Sequence, residues 1–182
     1  MILLKIFIAG PRAIKNFDKN IIAKLESIYE KKYDVIVGDA DGVDTEIQRF
    51  FSNKEYKNVT VYASRGLARN NLGNWIIKKV DVEGKVTGFE FYAKKDLKMA
   101  EEADIGYMIW NGQSRGTFNN MINLLNQNKQ VVLYFTQTQK FYKFTKMSEF
   151  ESFISSNVKL NLKLKKILSQ NSKNQYVQAC LF

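Results

Sequence analysis

Apolar residues fall into short runs separated by polar turns, and the spacing within each run assigns its element. Leu3 to Ala9 is apolar apart from Lys5 and ends at Gly10-Pro11-Arg12, the pattern of a buried strand running into a tight loop. Asp18 then caps a helix whose apolar positions, Ile21, Ile22, Leu25, Ile28 and Tyr29, recur at helical spacing. The β-loop-α logic repeats: Tyr33 to Val37 is a strand, Gly38-Asp39-Ala40-Asp41-Gly42 a turn, Val43 to Phe51 a helix, and Val59 to Ala63 a third strand. Further on, Lys95 to Glu102 reads as helix, Ile105 to Trp110 as strand, Thr117 to Asn128 as helix and Gln130 to Phe135 as strand. Strands that are apolar throughout and alternate with helices predict a parallel sheet covered on both faces. The expected architecture is an α/β, Rossmann-like open sheet, mainly parallel, with helices on both faces and a small C-terminal appendage.

Two stretches break this rhythm. From Ser64 to Tyr92, Gly66, Gly73, Gly84 and Gly88 punctuate basic and aromatic residues, which predicts an excursion over the active face, with a small hairpin from Val80 to Phe91 around Glu83-Gly84. Beyond Phe135, Phe141 to Phe144 reads as an edge strand, Ser148 as the cap of a short helix through Ile154, and Leu160 to Leu168 as a basic amphipathic segment. The expected division is a domain over 1–135, with the excursion at 64–93, and a basic extension over 136–182 packed on the core or on a partner.

Composition narrows the function classes. A chain of 182 residues, 45% hydrophobic, supports one core. A single cysteine, Cys180, and no histidine exclude an internal disulfide and the Cys/His ligand sets of structural zinc; no metal and no cofactor are expected. The first apolar run has no basic leader and stops far short of the roughly 20 residues of a membrane span, so a cytoplasmic protein with no membrane partner is expected. The net charge of +10 comes from 23 lysines and 5 arginines against 18 acids, and residues 136–182 hold eight lysines and only two acids. That excess describes either solvated lysine faces or a nucleic-acid patch. Four arginines, Arg12, Arg65, Arg69 and Arg115, fall in predicted loops, where a planar guanidinium suits phosphate.

Three loops sit where an open parallel sheet binds ligands, beyond the carboxyl ends of its strands. In Gly10-Pro11-Arg12 the glycine admits a ligand to the backbone and Arg12 supplies countercharge; a plain tight turn is the alternative. Gly38-Asp39-Ala40-Asp41-Gly42-Val43-Asp44 gathers three carboxylates at a helix start, where they cap amides, hold ribose hydroxyls or act as general bases. Trp110-Asn111-Gly112-Gln113-Ser114-Arg115-Gly116-Thr117 runs from a strand into a helix as an anion cradle of amides and hydroxyls, without the Gly-Lys-Ser/Thr ending of a P-loop. Lys95 and Asp96 open a helix, with Met99 one turn later, and either reach the site or serve cap and core. Trp75, Phe89, Phe91 and Tyr92 either stack on a base or pack.

Together the glycine loop after the first strand, the Gly-Asp-Ala-Asp-Gly-Val-Asp turn after the second and the Gly116-Thr117 helix start resemble the SLOG superfamily over about residues 3 to 135. That superfamily includes the Lonely Guy-type cytokinin-activating phosphoribohydrolases, often misnamed lysine decarboxylases, and the Rossmann-like core of DNA-processing protein A. Small bacterial members share the arrangement of Lys95-Asp96 with Met99-Ala100 and of Ile109-Trp110 with Gly112, Ser114 and Gly116-Thr117. The resemblance implies a Rossmann-like fold, assembly as a homo-oligomer and binding of nucleotides or nucleotide-derived signals. In the phosphoribohydrolases the last motif, Pro-Gly-Gly-x-Gly-Thr-x-x-Glu, ends in the glutamate that serves N-glycosidic cleavage; here Asn120 takes that position. An asparagine cannot act as a carboxylate base or nucleophile.

The leading expectation is a binding or sensing domain for a nucleotide-like phosphorylated ligand. Gly112, Ser114, Gly116 and Thr117 would take phosphate, and Asp39, Asp41 or Asp44 the sugar. Gly10, Pro11, Arg12, Gly38, Gly42, Arg69, Lys95, Trp110, Asn111 and Asn120 complete the expected ligand set. An enzyme acting on N-glycosidic bonds, with Asp41, Asp44 or Asp96 as catalytic candidates, is the alternative. A DNA-binding accessory protein is the third reading, with nucleic acid as partner.

Overall fold

The computed structural model describes residues 3–64, 67–81 and 88–179. Seven strands form one sheet in the order β4-β3-β2-β1-β5-β6-β7: β1 (Lys5–Ala9), β2 (Asp34–Gly38), β3 (Val59–Ser64), β4 (Ile76–Val80), β5 (Ile105–Trp110), β6 (Gln130–Phe135) and β7 (Lys140–Phe144). All neighbours pair in parallel except β6 and β7, which a short turn joins as an antiparallel pair. The α/β, Rossmann-like open sheet expected from the sequence is therefore the architecture observed.

Alternation along the inner strands sends successive side chains to opposite faces, and each face is covered by helices. Ile6, Ile8, Val35, Val37, Val61 and Ile109 pack against α1 (Lys19–Glu30) and α2 (Val43–Asn53). Phe7, Ile36, Tyr62, Met108, Trp110, Leu133 and Phe135 pack against α3 (Gly88–Glu102), α4 (Arg115–Asn126), α5 (Met147–Asn157) and α6 (Leu162–Ala179). Asp18 caps α1 as its position predicts, its side chain accepting the amides of Asn20 and Ile21.

The described part of the irregular stretch holds regular elements. Ile76–Val80 is a fourth parallel strand on β3, at the sheet edge. The expected hairpin turns on residues 82–87, which with Arg65 and Gly66 lie outside the described residues; Gly88 to Phe91, at its far end, belong to α3. Trp75 is packing, not platform, since it is buried and its Nε1 donates to the Tyr56 carbonyl at 2.7 Å. The C-terminal segment lies on the core through Phe144, Phe150, Phe153, Ile154, Leu164 and Ile167. Its first helix is not capped by Ser148: α5 starts one residue earlier, and Glu149 reaches back to accept the amides of Thr145 and Lys146. No helix among the described residues is long and apolar enough to cross a membrane.

Candidate functional site

The chain lays β1 to β4 outward on one side of the sheet and returns through α3 to place β5 on the other side of β1. Strand order thus reverses between β1 and β5, and the loops leaving their carboxyl ends diverge to opposite faces, opening a crevice. A cavity of about 440 Å³ lies there. Its wall is formed by Ala9 to Ala13 after β1, by Gly38, Ala40 and Asp44 after β2, by Arg69, by Tyr92, Lys95, Asp96 and Met99 of α3, and by Asn111, Gln113, Ser114, Gly116, Thr117 and Asn120 around the start of α4.

The α2–α3 side carries the charge. Gly38 makes the space for it: a Cβ there would stand 2.3 Å from Asp44 Oδ2 and 3.1 Å from Lys95 Nζ. Lys95 is 4% exposed, and its Nζ donates to Asp96 Oδ1 at 2.8 Å, with Met99 Sδ at 3.6 Å. Burial pulls the Lys95 ammonium down, but Asp96, Asp44 and Asp39 outweigh it and leave its pKa above the ordinary lysine value. Asp44 accepts the Ala40 amide at 3.2 Å, and burial, opposed by Lys95 and reinforced by Asp96 and Asp39, pushes its carboxyl up to about 7. It is therefore a cavity-wall acid that exchanges its proton near neutrality.

Arg69 is held by Asp39. Its Nη2 donates to Oδ1 at 2.7 Å, and its Nε and backbone amide each donate to Oδ2 at 3.1 Å. Burial raises the Asp39 pKa, but these bonds and the guanidinium charge overcome it and keep the carboxyl below its ordinary range. Both Arg69 and Arg12 lie over the Tyr92 ring, with guanidinium carbons 5.0 Å and 5.4 Å from its centroid. Arg12 has no carboxylate partner among the described residues.

The β5–α4 side is polar and uncharged at the wall. Asn111 Oδ1 accepts the amides of Gln113 and Ser114 at 3.1 Å, shaping the loop, and Ser114 caps α4 by accepting the Thr117 amide and hydroxyl. One turn further, Asn120 is 4% exposed and its Oδ1 is buried without a hydrogen-bond partner among the described residues. A native chain leaves such an atom unmatched rarely, and a group entering the cavity is one way to match it.

Of the residues expected at the site, Gly10, Pro11, Arg12, Gly38, Asp44, Arg69, Lys95, Asp96, Asn111, Ser114, Gly116, Thr117 and Asn120 meet at this wall; Asp39, Asp41, Gly42, Trp110 and Gly112 stand outside it. Asp39 is committed to Arg69, and Asp41 accepts Asn70 Nδ2 at 3.2 Å. Gly42 is the backbone start of α2, and Gly112 abuts Gln137. Trp110 is fully buried behind the loop, its Nε1 donating to the Ser114 carbonyl at 3.0 Å. Sequence reasoning missed Gln48. Buried on α2, it donates to the Gly38 and Asn70 carbonyls and accepts the Leu72 amide, fixing the segment that presents Arg69. A glutamine on the apolar face of a predicted helix, between Ile47 and Phe51, was the available signal.

No protein-family model matches the chain, and a search of curated proteins finds no relative. Among solved structures the fold is shared with DNA processing protein A from Helicobacter pylori, described for its single-stranded DNA binding mode. The TM-score is 0.59 at 12% identity, over 94% of this chain and 81% of that one.

Proposed function

We propose that the crevice between β1 and β5 binds a nucleotide or nucleotide-derived phosphorylated ligand, in the manner of a SLOG-type Rossmannoid domain. One observation carries this reading: loops from β1, β2 and β5 line a single cavity whose wall includes, among the described residues, a guanidinium without a carboxylate partner and a buried amide oxygen without a hydrogen-bond donor. On this reading Arg12 and the first amides of α4, now capped by Ser114, take the phosphate. Asn120 and Asp44 meet the polar hydrogens of the rest of the ligand, and Tyr92 offers a ring for stacking. Calorimetry or thermal shift against mono-, di- and cyclic nucleotides, ADP-ribose and NAD tests it. Saturable stabilisation by at least one of them, lost in Arg12→Ala, is expected; a flat response across the panel rejects the reading.

A second reading is binding of single-stranded DNA. It is supported by the shared fold with a protein described for that activity, together with the net charge of +10. Hydrolysis of an N-glycosidic bond is tested in the same samples by chromatography for free base, with Asp44 as the group able to exchange a proton; absence of release at high protein concentration rejects it.

A further inference from the structure

On the face covered by α1, at the β6–β7 end of the sheet, an aromatic ring is left in solvent. Phe141 is 44% exposed and is the one aromatic among the exposed large apolar side chains of the described residues. It is not a loose side chain. Its ring lies 4.9 Å from Tyr134, its partner in the β6–β7 register, and 6.4 Å from the buried Tyr107. Tyr134 is itself fixed, its hydroxyl donating to Asp18 and accepting Asn20 Nδ2 at 3.3 Å. Phe141 is thus the outermost ring of an aromatic cluster tied to the start of α1.

Three exposed lysines are its neighbours in the fold: Lys143 on the same face of β7, Lys140 one residue before it on the opposite face, and Lys19 at the start of α1 beside Asp18. None of the three has an ion-pair partner among the described residues. Asp18, the nearby acid, is spent on the α1 amides and Tyr134. Lysines on an edge strand alone would only guard that edge against pairing. A half-exposed phenylalanine between them does the reverse, and a ring flanked by unpaired cations suits a polymer that offers flat faces and phosphates together.

We infer that the β7 edge, with Phe141 as stacking platform and Lys19, Lys140 and Lys143 as phosphate contacts, is a binding surface for single-stranded nucleic acid. A duplex hides its base faces, and an acidic peptide offers nothing to stack. A lipid surface needs a wider apolar face than one ring, and α6 cannot supply it because Leu164 and Ile167 are buried in the core. The surface stands apart from the cavity and shares none of its lining residues. The turn after β6 nevertheless touches the cavity loop, Gln137 Nε2 donating to the Asn111 carbonyl at 2.9 Å.

Fluorescence anisotropy of the full chain with labelled oligothymidylate of about 16 nucleotides tests the inference. Wild type is expected to bind, and to bind less tightly as salt rises. Phe141→Ala should weaken binding about tenfold with little change in salt dependence, while Phe141→Trp should retain it. The triple variant Lys19→Gln/Lys140→Gln/Lys143→Gln should flatten the slope of log affinity against log salt by about 2. Lys163→Gln/Lys166→Gln/Lys173→Gln on α6 removes the same charge elsewhere and should leave most of the binding. Arg12→Ala should lose the cavity ligand and keep the oligonucleotide, so that failure of one reading is told from failure of the other. Absence of binding by wild type, an unchanged Phe141→Ala, equal losses in the two triples, or equal competition by blunt duplex or polyglutamate would each overturn it.

Discussion

Charge is handled in opposite ways at the cavity and along the C-terminal segment. At the cavity it is mostly paired, with the core of it buried: Lys95 with Asp96, Arg69 with buried Asp39, and Asp44 held close to neutrality by burial. From β7 to α6 it is plentiful, exposed and of one sign, with eight lysines facing two acids, one of which serves to cap α5. The contrast teaches that a net charge of +10 says little about where an anion would be held. A buried pair costs desolvation and returns position, whereas an exposed lysine costs almost nothing and returns only a field.

The largest effect should come from breaking the buried pair. Lys95→Met leaves Asp44 and Asp96 without their cation and is expected to cost about 3–5 kcal/mol in chemical denaturation. Repeating the measurement at acid pH, where the carboxyls are protonated, should recover much of that loss. Next comes Asp44→Asn. The wild-type carboxyl binds its proton more tightly folded than unfolded, so its contribution is complete below 3.8 and is lost as pH rises toward about 7. Denaturation across that window should show wild-type stability falling relative to the variant; parallel curves would contradict the burial assigned to Asp44. Asp39→Ala should cost about 1–2 kcal/mol, because it frees Arg69, whose side chain is 39% exposed and rehydrates readily. Least of all, replacing Lys163, Lys166 and Lys173 with glutamine should change stability by no more than about 0.5 kcal/mol and leave any nucleotide-induced thermal shift intact.

The architecture was legible because the inner strands are apolar on both faces, as Ile6-Phe7-Ile8 and Val35-Ile36-Val37 show. β4 was not. An edge strand paired on one side exposes much of its surface, so Lys78 and Lys79 carry no penalty there and erase the apolar run. The start of α3 was masked by Gly88 and by aromatics that read as strand formers. At the site, loop position brought thirteen expected residues to one wall, but side-chain commitment is tertiary. Nothing in the local sequence pairs Asp39 with Arg69, thirty residues on, or turns Trp110 inward as the back wall of its own loop.

The start of α2 and the loop that bears Arg12 are a single mechanical unit. Gly42 takes a φ of 80°, and a Cβ there would lie 2.3 Å from the Arg12 carbonyl oxygen, while the Val43 amide donates to the Pro11 carbonyl at 3.3 Å. Any side chain at Gly42 must therefore lever the guanidinium off its aim, even though that glycine never touches the cavity. Retuning this crevice by substitution would mean redesigning both loops at once, since neither has slack of its own.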